Sequence, residues 1–194
     1  MARRTGYFTA MYLIFFTLHA MWDNNYEFIF YSAIMLALLL FITRIYRRIQ
    51  LADWIMVSLS AFGLLHLAGG NLTVAGAKLY EIEFSGRLHF DNLVHTLGIF
   101  LATLIVYNLI QPFADKKIKD TSLVFYFLLV LMALGLGALN EIIEFTAVVF
   151  LDASRSVGDY YNNALDNVFN TIGALVAVAV IHQYRRRKGY FDRS

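Results

Sequence analysis

The chain has no cysteine and one proline in 194 residues, and only 15% of its side chains are charged. Without cysteine there can be no disulfide, no thiol nucleophile and no thiolate metal site, so the sequence does not report a redox compartment. A soluble domain would carry about a quarter charged residues. Here 59% of residues are hydrophobic, 16% are aromatic and the mean hydropathy is +0.59. These proportions describe an integral membrane protein. A glycine-rich phosphate loop, a dinucleotide fingerprint and an ordered Ser/His/Asp set are also missing. The net charge of +2 does not point to nucleic acid, because the basic residues sit in short segments between apolar runs, where they report orientation.

Six apolar runs are present, at about residues 7–22, 26–46, 51–68, 91–110, 122–151 and 164–184. They predict an all-α bundle of six transmembrane helices forming one transmembrane domain over residues 1–194. The first run follows two arginines and no small-residue cleavage site comes after it, which predicts a retained span and not a removed signal peptide. Gly69 and Gly70 are expected to end the third helix. The stretch KLYEIEFSGRLHF alternates polar and apolar residues around Ser85 and Gly86, which suits either a short hairpin on the membrane surface or an irregular loop. The fifth run, at 30 residues, would measure about 45 Å as one helix. That overshoots a hydrocarbon core of about 30 Å, so it must tilt, bend or project.

Six spans put both termini on one side. The terminal segments and the loops after the second and fourth spans hold thirteen of the sixteen Lys and Arg residues, the others being Lys78, Arg87 and Arg155. The positive-inside rule then places both termini in the cytoplasm of a cell that inserts the chain into its inner membrane. Ten of the fourteen acids and every histidine except His182 fall toward the other side. The outer end is therefore where chemistry is expected.

That end contains a repeated motif. DNLVHTLG at residues 91–98 has an echo in DNVFNTIG at residues 166–173, and both open apolar runs. On a helix the first, fifth and eighth positions share a face. Each copy thus presents an acid (Asp91, Asp166), then His95 or Asn170, then a glycine where another helix can approach. Spans three and four would match spans five and six as hairpins related by an axis along the membrane normal. Asp-Asn at a helix start also has a plainer meaning, as a cap on free backbone N–H groups.

Glu141 and Glu144 lie one turn apart within the fifth run, where two carboxylates repel. Something positive should sit between them. The candidates are a divalent metal of unknown identity, a shared proton, or Arg87 and Arg155 reaching in. For a metal, Asp91, His95, Glu141, Glu144 and Asp166 supply oxygen and nitrogen donors from three helices, the way bundle proteins build metal sites. Asn170 adds an amide oxygen. A proton-sharing acid/base cluster and a structural ion-pair network use the same residues. His66 and Asp159 are candidates for a supporting shell. The plainer readings are a capping or packing role for His66 and simple solvation for Asp159.

The runs RLHFDNLVH, NEIIEF and GDYYNNALDNVFNTIGA resemble the VanZ-like membrane proteins, and most of all their uncharacterised YjdF-like branch. The matched positions are Arg87, Asp91, His95, Glu141, Glu144, Asp159, Asp166 and Asn170, over about residues 64–177. The loop after Leu151 departs from the branch in lacking its usual Gln and Trp. The resemblance implies work at the outer leaflet of the cell envelope and no particular reaction. Three functional expectations follow. One is a metal-assisted hydrolase or transferase acting on a lipid-linked or amphipathic substrate among the membrane lipids. The others are a proton- or ion-coupled transporter and a non-catalytic scaffold.

Overall fold

The computed structural model describes residues 2–49, 53–85, 88–114, 122–153, 157 and 159–187. Six long helices carry the described fold: α1 (Ala2–Trp22), α2 (Tyr26–Ile49), α3 (Asp53–Asn71), α4 (Phe90–Ile110), α5 (Ser122–Leu151) and α6 (Tyr160–Arg187). Between α3 and α4 lie two short antiparallel hairpins: β1 (Thr73–Val74) with β2 (Ala77–Lys78), and β3 (Glu83–Ser85) with β4 (Leu88–His89). A 3-10 turn at Leu79–Glu81 joins them. The alternation around Ser85 does resolve as a hairpin. The first hairpin was not expected; it turns at Ala75 and Gly76, both at positive φ.

All helices but α1 are long and apolar enough to cross a membrane. In α1 the tyrosines, threonines and His19 dilute the apolar run, yet the helix belongs to the bundle by its packing. Its polar groups face α3: Thr9 Oγ1 lies 2.7 Å from Ser60 Oγ, and Tyr12 Oη donates to the Ser60 carbonyl at 2.9 Å. In the absence of water, internal pairing of this kind is what lets hydroxyls sit at membrane depth.

Cross-helix contacts fix the directions. Ile55 of α3 packs with Ile105 of α4, Tyr107 of α4 stacks edge-on with Phe125 of α5, and Tyr126 of α5 meets His182 of α6. Each pair joins opposite ends of successive chain segments, so these neighbours run antiparallel. Helices α4 and α6 run parallel and pack more extensively than any other pair: Asn92 meets Asp166, His95 meets Asn170, and Thr96 meets Phe169. The C-terminal ends of α3 and α5 and the N-terminal ends of α4 and α6 thus gather at one end of the bundle, opposite both chain termini.

Two expectations about boundaries need correction. Helix α6 starts about a turn earlier than its apolar run, because Asp159 Oδ1 accepts the N–H groups of Tyr161 and Asn162 and caps it. Helix α3 continues through Gly69 and Gly70 to Asn71. These glycines do not stop the helix; they make room. A Cβ at Gly70 would come within 1.7 Å of the Phe28 ring, and one at Gly69 within 2.7 Å of Tyr80. The fifth run is one continuous helix of 30 residues, with no break at Gly135 or Gly137.

Candidate functional site

At the gathered end, His95 stands at the centre of the residues singled out in sequence. It lies in the second turn of α4, one turn after Asp91. Its Nε2 lies 3.6 Å from Asp91 Oδ1, 3.8 Å from Glu144 Oε1 and 3.9 Å from Asp166 Oδ1; its Nδ1 lies 3.7 Å from Glu141 Oε1 and 3.3 Å from Asn170 Oδ1. Four carboxylates from three helices therefore converge on one imidazole. Asp166 and Asn170 are essentially fully buried, and His95 and Glu141 are buried as well.

The motif copies account for this meeting. Position five of one copy, His95, touches position five of the other, Asn170, as an axis along the bundle would require. The eighth position of the second copy, Gly173, permits the approach: a Cβ there would fall 2.3 Å from the backbone oxygen of Thr96. Gly98, its counterpart, meets the Phe62 side chain instead. Gly137 of α5 provides the third close approach, since a Cβ there would meet Asn170 Nδ2 at 2.9 Å.

Amides hold the acids in place. Asn162 Nδ2 donates to Asp166 Oδ2 at 2.8 Å, Asn140 Nδ2 to Glu144 Oε1 at 2.6 Å, and Asn163 Nδ2 to Glu141 Oε2 at 2.5 Å. Asn92 bridges: its Oδ1 accepts the His89 N–H at 2.9 Å, and its Nδ2 lies 3.4 Å from Asp166 Oδ1. The sequence reading missed the roles of Asn92, Asn162 and Asn163. A signal existed for Asn162, which sits one helical turn before Asp166, but the YYNN stretch read as loop. Among the described residues His95 is the one cationic group that pairs with these acids, one imidazole to four carboxyl groups. Glu141 Oε1 and Asn170 Nδ2 are buried without a hydrogen-bond partner, an expense that a bound ligand would remove.

Two donor groups have metal-ligand spacing: Asp91, His95 and Asp166, and His95, Glu141 and Glu144, with ligand atoms within 4.8 Å of one another in each. They share His95. Carboxylate oxygens with one imidazole suit hard or borderline divalent cations, and amides bonded to the carboxylates are the kind of outer support that orients ligands.

A cavity of about 570 Å³ adjoins the cluster, lined by Asp91, His95, Glu144 and Asn170 and walled by Tyr31, His66 and Tyr80. His66 is a wall residue in an aromatic cage, with ring centroids 5.7 Å from Phe28, 5.7 Å from Tyr31 and 5.9 Å from Tyr80. Tyr80 Oη lies 2.6 Å from His66 Nδ1. Burial, with the Asp91 and Glu144 charges adding to it, pushes the Tyr80 phenol well above the usual tyrosine range. It therefore keeps its proton, which is available for the hydrogen bond with His66 Nδ1. Asp159 is exposed and caps α6, and it is not among the acids paired with His95. Arg87 and Arg155 lie outside the described residues.

A family model described as "Predicted membrane protein (DUF2238)" matches residues 5–187. No curated protein and no solved structure matches the chain.

Proposed function

Because the chain belongs to the family of predicted membrane proteins described as DUF2238, a description that names no activity, we propose a function from the site itself: a metal-assisted hydrolase or transferase. Its substrate would carry a phosphate or ester on a lipid-linked or amphipathic body. His95, which both ligand-spaced groups share, would hold a divalent cation with Glu141, Glu144 and Asp166, while Asp91 orients the reacting group and exchanges a proton with it. The observation that carries this reading is the mismatch of charge. Four inward-facing carboxylates are held by neutral amides and one imidazole, and a buried oxygen of Glu141 is left without a donor. A cluster whose purpose was only to tie helices together would be expected to pair its acids with Lys or Arg. Amides fix carboxylates in position while leaving their charge for a cation.

The proposal extends to place. With thirteen of the sixteen basic residues on the side of the termini, the site faces the outer leaflet of an inner membrane. The VanZ-like and YjdF-like resemblance of residues 64–177 supports business in the envelope.

The test is metal content by mass spectrometry on monodisperse detergent-purified protein, beside a Glu141→Gln, Glu144→Gln double variant. A near-stoichiometric divalent metal that the double variant loses is the expected result. Absence of metal from wild-type protein, even after incubation with Mg²⁺, Mn²⁺, Fe²⁺ or Zn²⁺, would overturn the reading.

A further inference from the structure

A second cavity, of about 630 Å³, adjoins the first. The two share the walls Tyr31, Phe62, His66, Asn140 and Glu144, so they lie side by side, and Glu144 of the acid cluster lines both. From there the second cavity runs between α1, α2 and α3 toward the end that carries the termini, and Arg3 and Thr43 line its far mouth. Its walls over that length are hydrocarbon: Ile34, Leu38, Ile42, Met56 and Leu59 among them. The hydroxyls it meets midway, Thr9 and Ser60, are already bonded to each other across the α1–α3 seam.

The gap exists because α2 stands off the bundle. Only 17% of its membrane-length window is buried, against 39% for α3 and for α4. Gly63 in this wall leaves room for Met35 and Tyr12, whose side-chain ends lie 2.7 Å from where a Cβ would sit.

Resting on the reading of the acid cluster as the place where a polar headgroup reacts, we infer that this groove holds one hydrocarbon chain of the same substrate, which is therefore a membrane amphiphile. Two physical arguments select that occupant. Ions are poorly served by a wall that is hydrocarbon over most of its length, which costs an ion its hydration without replacement. A hydrocarbon chain loses nothing there and comes from the surrounding leaflet. The volume lies within the range of small-molecule pockets, and the change from polar to apolar lining matches a molecule with a charged head and an apolar tail. The same apolar wall argues against an ion path through the inner half of the bundle.

The test is photo-crosslinking in vesicles of phosphatidylethanolamine and phosphatidylglycerol that contain a small fraction of phosphatidylglycerol with a diazirine midway along one acyl chain. Adducts are mapped by mass spectrometry. Phe127 and Leu131 on the exposed face of α5 report contact with bulk lipid. Labelling at Ile34, Met35, Leu39 and Leu59 several-fold above that baseline, lost in Ile34→Trp and in Leu39→Trp but kept in Leu39→Ala, is expected. Groove labelling no higher than the α5 baseline, or unchanged by both tryptophans, would overturn the inference. Metal content, measured on the same samples, separates the two claims. Groove labelling without metal leaves the chain seat standing and removes the headgroup chemistry. Metal without groove labelling does the reverse.

Discussion

At the scale of single residues, glycine decides whether the site can assemble. Gly173 sits where α4 and α6 touch backbone to backbone, and nothing on the facing side is a flexible chain end that could move aside: the nearest atoms are the Thr96 carbonyl and the Phe100 nitrogen. Gly173→Ala must therefore push the helices apart. The expected cost is about 1–3 kcal/mol, the range for overpacking a tight contact. Thermal unfolding in detergent should show a lower midpoint. Gly135→Ala is the matched control, since a Cβ there meets nothing within 4 Å; it should be neutral or stabilise by up to about 1 kcal/mol through helix propensity. The sequence marked Gly173 as a place of close approach because its motif is repeated. It could not separate Gly173 from Gly98, which faces a side chain, nor show that Gly69 and Gly70 admit Phe28 and Tyr80. Glycines that end a helix and glycines that let a ring in look the same until the partner is known.

At the scale of elements, the first three turns of α6 do more than begin a helix. Asp159 caps it, Asn162 and Asn163 hold Asp166 and Glu141, and Asp166 and Asn170 reach the centre. Asp159→Ala should remove a cap worth about 0.5–2 kcal/mol, and faster hydrogen exchange at the amides of residues 161–163, with the rest of α6 unchanged, would show it. Asn162→Ala and Asn163→Ala act on the site, not on the helix. Under the metal reading, each should weaken divalent-cation affinity by about 10–100-fold, the usual effect of losing a ligand's support, with helix content by circular dichroism unchanged. Unaltered affinity in both would mean that the amides serve packing alone. The long apolar runs made the spans legible, because about twenty consecutive apolar residues have few other uses. The start of α6 was not legible, since YYNNAL carries too little apolar pattern to join its span. What marks it as helix is the cap and the amide-to-acid spacing, both of which depend on partners far away in the chain.

At the scale of the molecule, alternation of six helices puts the polar cluster and the two termini at opposite ends, and the proposed orientation rests on the charge distribution. Arg3, Arg4, Arg44 and Arg185 through Arg187 lie in the terminal turns of α1, α2 and α6 at the end away from His95. A reporter active only in the cytoplasm should be active when fused to either terminus, and a reporter that needs export should be silent at both; the opposite pattern would turn the site toward the cytoplasm. The cation should also act on the whole fold, because a ligand held by α4, α5 and α6 together binds the native state and not its separated helices. Adding it at a hundred times its dissociation constant should stabilise the protein by about 2.7 kcal/mol, and chelator should reverse the gain. The double variant Glu141→Gln, Glu144→Gln separates the alternatives at this scale. Without cation it should match or exceed wild-type stability, since two repelling buried carboxylates have become amides, and it should no longer respond to cation. A variant that fails to fold while wild-type protein ignores the cation would instead make the cluster a structural network. The arrangement favours the first result: the acids are arrayed around a common centre with a donorless oxygen among them, and the groove leading away is built for an apolar chain.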